Sequence, residues 1–374
     1  MKSLRTAIWI VLAAVFIAAG MVSCARTEMD APARLISFQV ARHSVVKTRA
    51  DVKVSEYDDD TPFGAYAWYK GDTEADNTDF MTNEKVIFDG NVWKPAGAAY
   101  YWPKGGSLDF ICYSPFSADS GPTVAESSIS WTDWDMGENE GVDLMYATKA
   151  PGMTAPVTTY YYNGVPTLFH HALARVGVKL RLAYDEVVVA DNDKTRWDVT
   201  VHNIKFTDIY SKGSLTLNLG EDGKEWDKPA SNAWTVSGEP ADITLDCSQL
   251  PMLENTELHV VGSPQMVLPQ AFGTSQMVDM EVTIRTWRDN GEGYYLFLTE
   301  SHVHVGAYLK TSAISGWGIN QNITYTFVLA PSHAENSGQD QDGDGLEDQV
   351  PTVVYFDPAV DDWESIELTT SIQL

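Results

Sequence analysis

"VDMEVTIR", residues 278–285, alternates apolar and polar side chains at every step. Val278, Met280, Val282 and Ile284 fall on one side of an extended chain, and Asp279, Glu281, Thr283 and Arg285 on the other. A helix needs apolar residues three or four apart, so this spacing predicts a half-buried strand. Asp289, Asn290 and Gly291 then supply turn chemistry before "YYLFL" (294–298), and the pair of runs reads as a hairpin. The same period returns where Val176, Val178, Leu180 and Leu182 alternate with Arg175, Gly177, Lys179 and Arg181, and again at Leu215, Leu217 and Leu219. No sustained helical period interrupts these runs. With 27 Gly and 17 Pro punctuating short strands, the expected fold class is all-β, built of sandwiches.

A chain of 374 residues with 44% hydrophobic content has room for two domains, each with its own core. The polar, turn-rich stretch "DEVVVADNDKTRW" (185–197) places their boundary at about residue 190. A second polar stretch, "PSHAENSGQDQDGDGLEDQ" (331–349), separates the last domain strands from a tail. The expected units are therefore residues 50–190 and 191–335, followed by an acidic linker and tail over 336–374. A formal charge of −27 spreads repulsion over the surface and argues against nucleic acid or anionic lipid as a partner.

Residues 1–23 read as an export signal, with Lys2 and Arg5 ahead of an uncharged apolar run over 7–22 that is too short to span a bilayer as a helix. The run ends in Met21, Val22, Ser23 and Cys24, which resembles the lipobox of bacterial lipoproteins. That resemblance implies that Cys24 carries acyl chains and holds the protein to a membrane. An ordinary secretory signal with an incidental Cys is the alternative. Cys112 and Cys247 fall in different expected domains and read as small buried apolar residues rather than a disulfide.

Several phrases have a collective meaning: "TRA" (48–50), "YWP" (101–103) followed by "LDFICYSP" (108–115), "DLMYA" (143–147), "FHHALARVGVKL" (169–180) and "VLPQ" (267–270). In this order and spacing the chain resembles the fimbrillin family, lipoprotein subunits of the protease-assembled type V pili of anaerobic Gram-negative bacteria. The resemblance implies two tandem β-sandwich domains of transthyretin-like topology and head-to-tail assembly by strand exchange. It also implies a processing site between Arg49 and Ala50 for a trypsin-like protease, which makes residues 24–49 a propeptide. Within it Ile36, Phe38 and Val40 alternate with polar or small neighbours and can form a sheet's first strand. Cleavage would let that strand leave and bare a groove of unpaired backbone groups, unstable until another strand fills it. It would also discard Lys2, Arg5, Arg26, Arg34, Arg42, Lys47 and Arg49 but only Glu28 and Asp30.

A filler stands at the other end, where Ile366, Leu368, Thr370, Ile372 and Leu374 alternate strictly with Glu367, Thr369, Ser371 and Gln373. That tail is a candidate donor strand for a neighbouring subunit. Folding back onto its own second domain is the alternative, because alternation specifies a half-buried strand and not whose sheet it joins.

Asp340, Asp342, Asp344, Gly345 and Asp348 match the opening of a calcium loop, with a main-chain oxygen expected from Leu346. Pro351 stands where an EF-hand has its bidentate Glu, so calcium at this loop is set against a flexible acidic linker. His302 and His304 share one face of a strand but have no third ligand in view, and His170 and His171 read as structural. No GxSxG, HExxH or phosphate-binding glycine loop occurs, so no enzyme activity or required cofactor is expected. The expected function is a structural or adhesive subunit of an outer-membrane or surface fimbria. Its expected partners are other subunits, the processing protease and a host or bacterial surface receptor. The alternative is a glycan-binding surface lipoprotein, with Trp131 and Trp134 in "SWTDWDMGENEG" (130–141) as a stacking platform.

Overall fold

The structure is a computed structural model. It describes residues 35–40, 57–147, 149–154, 164–167, 169–190, 193–218, 233–289, 292–311, 314–331, 347–348, 354–356 and 364–373. Among these, regular structure is strand apart from one short 3-10 turn at Glu74–Asp76. The first part of the chain forms β1 (Phe38–Val40), β2 (Phe63–Lys70), β3 (Thr78–Phe88), β4 (Trp93–Pro95), β5 (Ser107–Ser114) and β6 (Thr123–Ala125). It continues through β7 (Ser128–Asp135), β8 (Met145–Ala147), β9 (Ala150–Met153), β10 (Val165–Thr167), β11 (Phe169–His171) and β12 (Ala174–Leu182). The middle supplies β13 (Glu186–Ala190), β14 (Asp193–Ile209), β15 (Lys212–Asn218), β16 (Trp234–Ser237), β17 (Ala241–Thr244), β18 (His259–Val267) and β19 (Gln270–Ala271). The rest comprises β20 (Met277–Asp289), β21 (Tyr295–Tyr308), β22 (Gly316–Trp317), β23 (Gln321–Ala330), β24 (Glu347–Asp348), β25 (Val354–Phe356) and β26 (Glu364–Gln373). The all-β expectation holds, and no helix among the described residues is long and apolar enough to cross a membrane.

The first half is organised by a nine-stranded sheet in the order β10-β1-β4-β3-β2-β5-β8-β11, with β9 also on β5. One face carries Phe63, Ala65, Ala67, Leu108, Phe110 and Cys112 into a cluster whose strand members all come from this sheet, so the sheet curves around its own interior. The opposite face of β2 and β5 carries Trp68, Ile111 and Tyr113 against Ile129 and Trp131 of β7 and Leu215 and Leu217 of β15. β5 is thus covered on both sides, which is why "SLDFICYS" reads as a nearly continuous apolar run.

The second half is a sandwich. A sheet in the order β18-β12-β23-β26-β25 faces another in the order β13-β14-β20-β21-β24. Ile323, Tyr325, Phe327 and Leu329 of the first meet Val278, Met280, Val282 and Val303 of the second. The alternating strands behave as expected: Val176, Val178, Leu180 and Leu182 are buried, as are Val278, Met280, Val282 and Ile284, and β20 and β21 form the hairpin.

Domain partition differs from a cut at residue 190. β12 pairs with β18 and β23, and its side chains lie in the second core. Beyond residue 190, β15 returns to pair with β7 and so joins the four-stranded sheet lying over the first half. Polar linkers mark where strands end, but period-two patterns carry no information about which sheet a strand enters.

Candidate functional site

The site of interest is the slot that holds residues 35–40. β1 lies between β10 and β4, parallel to the first, with Phe38 opposite Val165, and antiparallel to the second, with Phe38 opposite Trp93. Leu35 forms a bridge to Tyr101. The Val165 N–H donates to the Ser37 carbonyl at 2.7 Å, and the Ile36 N–H donates to the Tyr100 carbonyl at 2.9 Å. Withdrawal of β1 would therefore uncover a donor on one wall and an acceptor on the other.

Side chains fill the floor. Ile36 and Phe38 are each 2% exposed and Val40 is 8% exposed. Phe38 meets Phe63 and Phe110 edge-on, with ring centroids 5.5 and 5.8 Å away. Trp93, Phe63, Tyr57 and Phe169 extend the aromatic wall through ring contacts between 4.8 and 5.4 Å. Cys112 also lies in this core, and burial pushes its thiol well above the ordinary range.

The wall contributed by β10 depends on Gly164. Its φ is +144°, and a Cβ there would lie 2.6 Å from the Ser37 carbonyl oxygen and 2.7 Å from the Phe38 carbonyl carbon. Only glycine lets the wall come so close to the strand in the slot. Pro166, within β10, is tolerated because β10 is the outermost strand on that side. Sequence reasoning missed this wall, since "GVP" (164–166) has the look of a turn rather than a strand.

Beside β10, a buried ion pair braces β5 against the chain leading into β9. Lys149 Nζ lies 3.1 Å from Asp109 Oδ2, and the Gly152 N–H donates to Asp109 Oδ1 at 2.7 Å. Two of the phrases noted above also clamp each other. His170 and His171 pair with Tyr146 and Met145 across β11 and β8, and His171 Nδ1 lies 2.8 Å from the Asp143 carboxylate. Asp143 is a carboxylate partner that the sequence did not identify, and the arrangement ties strands rather than assembling a reaction centre. Burial, with a smaller contribution from His171, holds the His170 pKa down to about 4.

The remaining sequence-derived positions are scattered. Cys24, Arg49 and Ala50 lie outside the described residues, as do Asp340, Asp342, Asp344, Leu346 and Leu374. Asp348 falls in β24, which pairs with β21 opposite His304. Ile366, Leu368, Thr370 and Ile372 fall in β26, which here runs parallel to β23 in the chain's own sheet and pairs along its whole length. His302 contacts Thr283 Oγ1 at 2.8 Å, while His304 contacts Asp279 Oδ1 at 3.2 Å, so the two imidazoles have separate partners. Trp131 is buried and Trp134 packs partly buried against the same cluster, so the two do not form an open stacking platform. Cys112 and Cys247 are free thiols.

No curated protein sequence matches the chain. Among solved structures, a fimbrial protein from Bacteroides vulgatus is 15% identical, with 79% of this chain and 95% of that one covered and a TM-score of 0.44. A candidate cell adhesion protein from Bacteroides uniformis is 19% identical over 72% and 86% of the two chains, with a TM-score of 0.38. The fimbrial anchor protein Mfa2 from Porphyromonas gingivalis is 10% identical over 67% and 77%, with a TM-score of 0.26. The profile of one family, described as fimbrillin-like, matches residues 48–340. Since that match spans most of the sequence, the chain belongs to the fimbrillin-like family.

Proposed function

We propose that this protein is a structural or adhesive subunit of a bacterial surface fimbria, exported as a lipoprotein through Cys24 and assembled by strand exchange. A trypsin-like protease cuts after Arg49, β1 leaves with the propeptide, and the C-terminal segment of another subunit takes the vacated slot. The observation that carries this reading is the interior position of β1, a short strand placed between two others, with its Phe38 and Val40 and the preceding Ile36 buried.

Magnitudes explain why the slot would not stay empty. Burying one large apolar side chain is worth about 1.5–3 kcal/mol, so Ile36, Phe38 and Val40 together account for about 5–9 kcal/mol. That is comparable with the whole stability of a typical domain, about 5–15 kcal/mol. Main-chain hydrogen bonds from the incoming strand give affinity, and its alternate side chains give register.

The same proposal gives the acidic run at 340–348 a weak calcium site that stiffens the approach to the tail, and calorimetry of calcium with residues 336–352 tests it. The assembly test uses residues 25–374 treated with a trypsin-like protease. Ladders on a gel are expected, and an Arg49→Ala chain should give none. An Arg49→Ala chain that still polymerises contradicts the cleavage route.

A further inference from the structure

β21 carries His302 and His304 on one outward face, and the structure sends them to different partners. His304 Nδ1 turns to Asp279 Oδ1 at 3.2 Å. His302 converges instead with an imidazole from another strand. Thr283 stands opposite His302 in the β20–β21 ladder, and its Oγ1 lies 2.8 Å from His302 Nδ1 and 2.6 Å from His202 Nε2. Thr283 belongs to the polar side of β20, yet it is 3% exposed, while the two histidines that flank its hydroxyl are exposed.

A shift in the ladder brings His202 to this place. β14 pairs Val201 with Val282 and Asn203 with Glu281, so His202 is the extra residue of a bulge. Bulges bend a strand and re-aim a side chain, and here the re-aimed side chain is an imidazole. His202 stands 81 positions from Thr283, which is why the sequence offered His302 no companion but His304.

The other nitrogen of His302 has its own partner. Nε2 lies 3.4 Å from Glu300 Oε1, and Glu300 Oε2 accepts from Arg285 Nε at 2.6 Å. Arg285 holds the Glu300 carboxyl below its ordinary pKa, so the group is ionised and can only accept. It takes the Nε2 hydrogen and leaves the Nδ1 lone pair facing Thr283 and His202. A carboxylate behind an imidazole fixes the tautomer and raises the basicity of a metal-binding histidine in the same way. Since both nitrogens already reach one oxygen, small rotations of two exposed rings bring them to the distance of a metal–imidazole bond, about 2 Å.

We propose that His202 and His302 form a surface site for a divalent transition metal ion of the zinc, nickel and copper class, with Glu300 orienting His302 and water in the remaining positions. Neutral nitrogen donors select that class over calcium and magnesium, which take oxygen ligands. The ion ties β14 to β21 across β20 on the outward face of the second sandwich. The site is separate from the slot and does not depend on strand exchange.

Calorimetric titration of ZnCl2 into the untagged chain of residues 25–374 tests the site, with excess CaCl2 present to compete for the carboxylates of 340–348. One zinc per chain is expected. His302→Ala and His202→Asn, the latter keeping a polar side chain at the bulge, should each weaken binding by about tenfold or more, and Glu300→Gln by about tenfold, the size of losing an orienting carboxylate. His304→Ala should leave binding unchanged. Saturating zinc should raise the melting temperature of the parent chain but not that of His202→Asn. With CuCl2 in place of zinc, electron paramagnetic resonance should read two coordinated nitrogens in the parent chain and one in His302→Ala. No binding up to about 1 mM ZnCl2 would overturn the inference. So would a zinc site that survives both His202→Asn and His302→Ala, or one that is lost in His304→Ala and kept in His202→Asn.

Discussion

Two strands complete sheets in this molecule by different means. β1 has three residues and one register pair to β4, and its Phe38 and Val40, with Ile36 just ahead of it, are sunk into an aromatic core. β26 has ten residues and an unbroken parallel ladder to β23. One is held by what its side chains fill, the other by the length of its backbone pairing. A strand of the first kind can be replaced by another chain carrying the right side chains, whereas a strand of the second kind is expensive to remove. The replaceable strand is also the one that stands ahead of the basic residues Lys47 and Arg49.

Substitutions in and around the slot can break this comparison. Phe38→Ala in the unprocessed protein should cost about 3–5 kcal/mol in chemical denaturation, because Phe63 and Phe110 cannot close over the gap. A loss under about 1 kcal/mol would mean that β1 is not held by its side chains. Gly164→Val forces a side chain against the Ser37 carbonyl and into a left-handed conformation, and should cost about 2–3 kcal/mol. If it were silent, the close approach of β10 to β1 would be wrong.

A pH series sharpens the picture at the clamp between β8 and β11. His170 has its folded pKa below the ordinary value of about 6.5, so below that pH the unfolded chain takes up a proton that the folded chain refuses until about 4. Stability should therefore fall as pH drops through this window, by about 1–2 kcal/mol at pH 5. His170→Gln should flatten the fall, and an unchanged profile would remove His170 as its source. The smallest effect belongs to a phenylalanine outside any slot. Phe297 is 52% exposed, and Phe297→Ser should change stability by no more than about 0.5 kcal/mol.

The alternation at 176–182 and 278–285 was enough to read all-β structure, the buried positions and the β20–β21 hairpin. It was not enough to read partners. β12 carries the same pattern whichever sheet it enters, so the boundary at about residue 190 separated it from β18 and β23. β10 was invisible because Gly164 and Pro166, which signal a turn, are here the clearance for β1 and the terminus of a sheet. The His171–Asp143 pair was hidden by a separation of 28 positions along the chain. For β26 the strand was legible but its place was not, since a strict alternation fits a neighbour's groove and its own sheet equally well.

The central claim is that the processed subunit lacks one strand and accepts another in its place. Native mass spectrometry of the chain cleaved after Arg49, with a synthetic peptide of residues 33–42 added in excess, reads this most directly. One bound peptide per chain is expected, lost when the peptide carries Phe38→Ala. A cleaved chain that sheds residues 25–49 and stays folded, monomeric and without affinity for the peptide would contradict it.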